Sequence, residues 1–358
     1  MLPNNKTKNA WLGRIAVLCF LPMLFSCATA KPMLYSVDTI FHRQVVMGDA
    51  DSEVAKYYIE QYRNGERQRP ALDAQLYELE AEPGIPTAQR LSEITQQYSP
   101  DFTAAYLAHK LIEDKRNAPM QQRFDDWYAR LLGNEQQQQL PPNDLNRSDS
   151  AIIFVPGWYY ITNPETGADF AAQRTMLDAQ GVNNHLIEID ENGVVEENAE
   201  LIFKALKEYT QQYRSIIVVS ASKGCPETAL ALSKFDKNTQ QIQGWMNVGG
   251  VLKGSIMADK GSKWPWTWFT KYIVIYGESL DGVKSLQTAK RSAVLDNITI
   301  PDAITVVNYV GVPMGSQVNP RSLGYGMMKN IGPNDGSTYI LDAMYPGGIT
   351  LVEMGIDH

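Results

Sequence analysis

The chain is predicted to fold as an α/β protein with a mostly parallel sheet, preceded by a helical region. Three observations carry that expectation. Beyond residue 150, short continuous apolar runs alternate with stretches of helical periodicity, as in a sheet covered on both faces. Before residue 140, apolar residues recur at helical spacing, as in Ala55–Tyr62 and Ala104–Ile112. A polar, proline-bearing stretch from Gln136 to Asp144 divides the two textures. With 358 residues the chain can bury the core of one large domain or two ordinary ones. A net charge of −8 argues against a nucleic-acid partner, because polyanion binders concentrate Lys and Arg. Three cysteines exclude a disulfide framework, and four histidines argue against a His-rich metal site, so no metal cofactor is expected.

Residues 1–26 read as an export signal. Lys6, Lys8 and Arg14 precede an apolar run from Ile15 to Phe25. That run is shorter than the about 20 residues a spanning helix needs. Its end, Leu24-Phe25-Ser26-Cys27, resembles the bacterial lipobox, although Phe25 is bulkier than usual at its position. The resemblance implies lipidation of Cys27 and a membrane partner reached through the acylated N-terminus. Each buried methylene contributes about 0.8 kcal/mol to such an anchor. Ala28, rather than Asp, follows the cysteine, which implies an outer-membrane lipoprotein facing the periplasm. The alternative is cleavage at Ala28-Thr29-Ala30, giving a soluble periplasmic or secreted protein. With Cys19 and Cys27 in the leader and anchor, Cys225 has no partner in the body of the chain and reads as a packing residue.

Residues 27–140 are expected to be helical. Ser99-Pro100-Asp101 is a helix start, and Asn64-Gly65, Pro83-Gly84 and Asn117-Ala118-Pro119 mark turns. Asp49, Asp51 and Glu53 read as acids at a helix N-terminus, since the glycine a calcium loop requires is replaced by Val54. Residues 141–150 form the linker. The α/β domain spans 151–358, with strands at Ala151–Val155, His185–Ile189, Ser215–Ser220, Gly244–Val248, Ala303–Val310 and Ile349–Glu353. Helices fall near Phe170–Ala179, Glu196–Tyr213 and Glu227–Phe235.

The strand Ser215–Ser220 runs into Ala221-Ser222-Lys223-Gly224 and then a helix. A serine in such a turn is lifted clear of the sheet, and the residues two before and two after it must be small. Gly224 meets that demand fully and Ser220 adequately. The following helix directs its first amides at a developing oxyanion.

On these residues the stretch from about 148 to 358 resembles the α/β-hydrolase family. Val155-Pro156-Gly157-Trp158 is similar to that family's His-Gly loop, with Pro156 in place of His. Val248-Gly249-Gly250-Val251-Leu252-Lys253-Gly254-Ser255 is similar to the segment after the next strand in bacterial lipases. Gly332-Pro333-Asn334-Asp335-Gly336 resembles the loop of the family's acid, and Met354-Gly355-Ile356-Asp357-His358 that of its histidine. The resemblance implies an α/β-hydrolase fold with a Ser222-Asp335-His358 triad and oxyanion donors on the backbone of Trp158 and Lys223. Serine is a poor nucleophile at neutral pH, so a His must take its proton and a carboxylate must orient that His. Asp302, Asp342 and Asp357 are alternative acids. Ser279, in Tyr276-Gly277-Glu278-Ser279-Leu280-Asp281, is a rival nucleophile after the strand-like run Ile273–Tyr276, but Asp281 stands where a small residue is required.

An insert at about 253–300 corresponds to the family's cap. Trp264, Trp266 and Trp268 stand there among Lys263, Lys271 and Tyr272. They suit an acyl pocket or a membrane-facing lid; equally, they could pack the insert onto the sheet. The expected function is envelope-anchored serine hydrolysis of acyl or lipid esters. A thioesterase or peptidase would use the same triad, and a noncatalytic binding platform would keep the fold without the reaction.

Overall fold

A computed structural model describes residues 36–40, 43–47, 49–133, 148–275, 277–320 and 322–358. Cys27, the whole leader and the stretch from Gln136 to Asp144 lie outside the described residues. Strands β1 (Ser36–Ile40) and β2 (Arg43–Met47) pair as a two-stranded sheet, where helix was expected. Val37, Thr39, Ile40, Val45 and Val46 explain the difference, since β-branched residues favour extended backbone.

Four longer helices follow: Pro70–Ala81, Ala88–Gln97, Pro100–Glu113 and Ala118–Gly133. Thr87 and Ser99 cap the second and third, each side-chain oxygen accepting an N–H three residues on. Proline occupies the first turn of the first and third, where no intrahelical N–H is lost.

Six strands form the main sheet: β3 (Ser150–Val155), β4 (Asn184–Leu186), β5 (Ser215–Ala221), β6 (Ile242–Val248), β7 (Thr305–Val312) and β8 (Ile349–Met354). Their order is β4-β3-β5-β6-β7-β8, and every neighbouring pair is parallel. These are the six strands read from the sequence, with small differences at their ends. Helices Ala171–Ala179, Val195–Gln212 and Gly224–Leu232 supply the first crossovers. Between β3 and β5 the order reverses, since β4 lies to one side of β3 and β5 to the other. Ligands of parallel sheets bind beyond the carboxyl ends of the strands at such a reversal.

Two cores hold the sheet. Ile153, Val155, Ile202, Leu206, Ile216, Val218 and Trp245 pack one. Tyr57, Leu76, Ile94, Phe102 and Leu107 from the N-terminal helices pack the other, together with Val310 and Val312 of β7 and Val352 and Met354 of β8. The helical segment and the sheet therefore share apolar contacts.

The strand-like run before Ser279 takes a different form. Thr270–Val274 is a wide helical turn, so Ile273 and Val274 are helical where their run resembled a strand. Short apolar runs fit either backbone, and here tertiary packing decides: Val274 and Ile275 join Val195, Val251 and Val283 in a small cluster under the insert.

Candidate active site

β5 ends at Ala221, and the chain turns sharply at Ser222, whose φ is +48°. A non-glycine residue in the left-handed region is unusual and marks strain held in place by its surroundings. Those surroundings are visible. The Ser222 N–H donates to the Val248 carbonyl (3.0 Å), and its carbonyl accepts from Cys225 (3.1 Å). A β-carbon at Gly224 would collide with the Pro156 carbonyl, so only glycine lets the helix start this close to β3. Ser220 is buried rather than merely tolerated: its hydroxyl accepts the Trp245 indole N–H (2.8 Å) and donates to Cys225 Sγ (3.2 Å).

The loop after β8 brings His358 over this turn. His358 Nε2 lies 2.7 Å from Ser222 Oγ, and Nδ1 lies 2.9 Å from Asp335 Oδ2. The His358 backbone N–H also donates to the Asp335 carbonyl (2.9 Å), which fixes the ring's origin. Asp335 is buried. Its other oxygen accepts the N–H groups of Ser337 and Thr338, both at 2.8 Å, so the carboxylate cannot rotate away. Burial alone would lower the His358 pKa. The charge and hydrogen bond of Asp335, with the charge of Asp357, outweigh it and hold the pKa above the ordinary value.

The structure thus gathers Ser222, Asp335 and His358, and leaves the alternatives elsewhere. Asp357 binds the Asn319 N–H (2.7 Å), Asp342 stands beside Lys253, and Asp302 is exposed in a turn. Ser279 is exposed and bonded to Asp281 (2.8 Å). His109 is buried among the helices, where burial and then the charges of Arg63 and Lys110 hold its pKa at about 3. His185 bonds the Tyr213 hydroxyl (2.8 Å) at the start of β4. His42 lies outside the described residues. Cys225 is buried, and burial pushes its thiol up to about 12, which keeps it from acting as a thiolate.

Trp158 and Lys223 both line the cavity that contains Ser222. Among the described residues, neither backbone N–H has a hydrogen-bond partner within the protein. Their side chains are anchored by residues that the sequence did not single out, in the turn after β4 and in the helices Val195–Gln212 and Gly224–Leu232. The Trp158 indole N–H donates to Asn192 Oδ1 (3.0 Å). The Lys223 ammonium pairs with Glu227, both fully buried; Glu227 also accepts from Asn198 (2.8 Å), whose amide reaches the Asp190 carbonyl (2.8 Å). Burial raises the Glu227 pKa, and the Lys223 charge works against that rise. A signal was present: Glu227 is the single charged residue of the apolar helix Gly224–Leu232, four places after Lys223.

The cavity holds about 1090 Å³ and is largely apolar, with Phe269, Val283, Leu286 and Met327 among its walls. That volume is at the upper end for a small-molecule site. Trp266 and Phe269 of the insert line it, whereas Trp264 and Trp268 do not. Among the described residues no group of His, Cys, Asp and Glu is placed to hold a metal ion.

No protein-family model matches the chain. No curated protein matches it in sequence. Solved structures do match. A metagenomic carboxyl esterase superposes with a TM-score of 0.51 at 19% identity, over 62% of this chain and 68% of its own. The mature form of a Bacillus licheniformis lipase superposes with a TM-score of 0.50 at 22% identity, over 62% of this chain and 89% of its own. At such identities the likeness shows the fold, and that fold is the α/β-hydrolase fold.

Proposed function

We propose that the protein is a serine hydrolase of carboxylic esters carrying a sizeable apolar acyl group. The observation that carries this reading is the unbroken hydrogen-bond chain from Asp335 through His358 to Ser222, opening into a large apolar cavity. An ester carbonyl enters above Ser222 with its acyl chain along the cavity. His358 Nε2 takes the hydroxyl proton as Oγ attacks the carbonyl carbon. Asp335 keeps the proton on Nδ1 and stabilises the imidazolium that forms. The free N–H groups of Trp158 and Lys223 hold the oxyanion. His358 then gives its proton to the departing alcohol, and water, activated by the same ring, releases the acid. The esterase and lipase among the structural neighbours favour this class over a peptidase.

A fluorophosphonate probe tests the reading, because it reports an activated serine without requiring the natural substrate. Labelling is expected in the parent chain and absent in Ser222→Ala and strongly reduced in His358→Ala. Undiminished labelling of Ser222→Ala would overturn the assignment.

The enzyme is further proposed to be an outer-membrane lipoprotein, tethered through Cys27 after removal of residues 1–26 and facing the periplasm. The basic start, the short apolar run and the lipobox-like Leu24-Phe25-Ser26-Cys27 support this. Labelled palmitate is expected to enter the parent chain in a bacterial host and not Cys27→Ser. Equal labelling of both would refute the tether.

A further inference from the structure

The insert carries aromatic side chains that the fold does not use. Trp264 is 87% exposed, Trp266 57%, Trp268 64% and Tyr272 52%. They occupy one short segment, and the rings of Trp268 and Tyr272 stand 5.7 Å apart. Packing of the insert onto the sheet therefore does not account for them. Aromatic residues of this size rarely stay in water without a partner, and a contiguous apolar patch marks an interaction surface.

The position of the patch narrows the partner. Trp266 is both exposed and part of the cavity wall, as are Met257, Leu323 and Ile356. The exposed apolar surface is therefore continuous with the mouth of the cavity that holds Ser222. A partner seated here would present its own molecules to that mouth. Charge narrows it further. The chain as a whole is acidic, with a net charge of −8, yet this segment is basic. From Met257 to Ile275 its charged residues are Lys260, Lys263, Lys271 and a single acid, Asp259, whose carboxylate is hydrogen-bonded to Thr288. Lys260 and Lys263 are exposed, and the Lys271 ammonium lies 5.8 Å from the Tyr272 ring centre. Trp and Tyr interleaved with Lys is the composition that sits at the boundary between acyl chains and anionic headgroups. Among the described residues no helix is long and apolar enough to cross a membrane, so the segment would lie on the surface.

We propose that the Trp264–Tyr272 segment is a membrane-docking surface, and that its partner is an anionic lipid bilayer from which acyl substrates pass directly into the cavity. The proposal deepens the hydrolase reading by naming the physical state of the substrate. Docking itself does not need catalysis, so the two can fail separately.

The test uses the full chain with Ser222→Ala, to prevent turnover, and Cys27→Ser, to prevent acylation. Binding is measured by co-sedimentation with vesicles of phosphatidylcholine alone and of phosphatidylcholine mixed equally with phosphatidylglycerol. Brominated lipids report which tryptophans enter the acyl region. Binding to the anionic vesicles is expected, with quenching of tryptophan fluorescence. Replacing Trp264, Trp266 and Trp268 by Ala should weaken binding at least about tenfold and remove most of the quenching. Each of Lys260→Gln, Lys263→Gln and Lys271→Gln should lower the preference for anionic vesicles roughly fivefold. The apolar run of residues 15–25 is common to all variants and cancels from the comparison.

Unchanged binding and quenching in the triple Trp variant would overturn the proposal. So would oligomers of the parent that dissociate on the triple replacement without vesicle binding, which would assign the patch to a second copy of the chain. Separately, hydrolysis of a short water-soluble ester by Trp264→Ala with Trp268→Ala, two residues that do not line the cavity, should stay near the parent's when Ser222 is intact. Loss of that hydrolysis alongside unchanged vesicle binding would assign Trp264 and Trp268 to the integrity of the insert and overturn their role in docking. Loss of fluorophosphonate labelling in the parent would remove the hydrolase and leave docking standing.

Discussion

Glu227 is the perturbation that most directly probes how the turn at Ser222 is held. Its carboxylate and the Lys223 ammonium are both fully buried and bonded to each other. Replacing Glu227 by Ala leaves that ammonium in a site with no other counter-charge on it and removes an acceptor from Asn198. Breaking a buried pair from one side costs about 3–5 kcal/mol. A domain's total stability is about 5–15 kcal/mol, so the loss is a large fraction. Urea unfolding should show a lower midpoint with an unchanged slope. Catalysis should suffer as well, because the Lys223 N–H is a proposed oxyanion donor and its residue is no longer tied through Asn198 to the Asp190 carbonyl. Loss of one such donor lowers kcat by about 10²–10³, which sets the ceiling. The fall should appear in kcat for a soluble ester more than in KM. A paired replacement, Lys223→Met with Glu227→Leu, removes both charges and keeps the backbone amide. It should recover most of the stability, since apolar substitutes for buried ion pairs are often neutral or better. The reasoning fails if Glu227→Ala unfolds within about 0.5 kcal/mol of the parent, the range of ordinary surface changes, and keeps its kcat.

Four further outcomes follow from the same geometry. Asp335→Asn keeps the shape but presents the wrong partner to Nδ1, so kcat should drop about 10⁴-fold in steady-state ester hydrolysis. The base form of His358 is the neutral ring, so kcat/KM should rise with pH through a midpoint above 6.5, and Asp335→Asn should move that midpoint down. The same raised pKa means the ring's charged form stabilises the fold below its unfolded pKa. That contribution disappears as pH rises through the folded value, and chemical denaturation across this window should show it. Finally, Gln121→Ala removes a side chain that bonds both the N–H (2.8 Å) and the carbonyl (3.2 Å) of Val352. Thermal denaturation should show a loss of about 1–3 kcal/mol.

The strands and the three site loops were legible because each rests on a local constraint. A glycine two places after Ser222 is forced by the Pro156 carbonyl, the loop ending in His358 directly follows a strand with an unmistakable apolar run, and Asp335 lies in a Gly- and Asn-marked turn well past β7. What escaped the sequence depends on residues far apart. Asn192 and Asn198 carry no local signal, and only the fold turns them toward Trp158 and Glu227. Ser220 read as a slightly crowded substitute for glycine, because its partner Trp245 is on the next strand. The run Ile273–Tyr276 had strand composition, but Val274 and Ile275 pack beside Val195 and Val283 at the end of a helical turn. The amphipathic N-terminal helices announced that something covers their apolar faces without saying what.

That covering bears on the site itself. β8 is an edge strand with only β7 beside it. An open edge leaves N–H and carbonyl groups bare and free to pair with other chains. Here the edge is closed by side chains at the start of helix Ala118–Gly133 and just before it. Asn117 Oδ1 accepts the Thr350 N–H (2.8 Å), and Gln121 takes both backbone groups of Val352, as a neighbouring strand would. Behind them, Val352 and Met354 are packed among the tyrosines and leucines of the preceding helices. The loop that carries His358 begins where β8 ends, at Met354. Its first residue, Gly355, is tied back to the Val312 carbonyl (3.1 Å). A displacement of about 1 Å between reacting groups can cost 10²-fold in rate. An edge strand that frayed would pass such a displacement to the ring 2.7 Å from Ser222. Residues 117–133 thus serve the proposed chemistry without approaching it. Asn117 and Gln121 hold the outer edge of the last strand, and through it the position of the base.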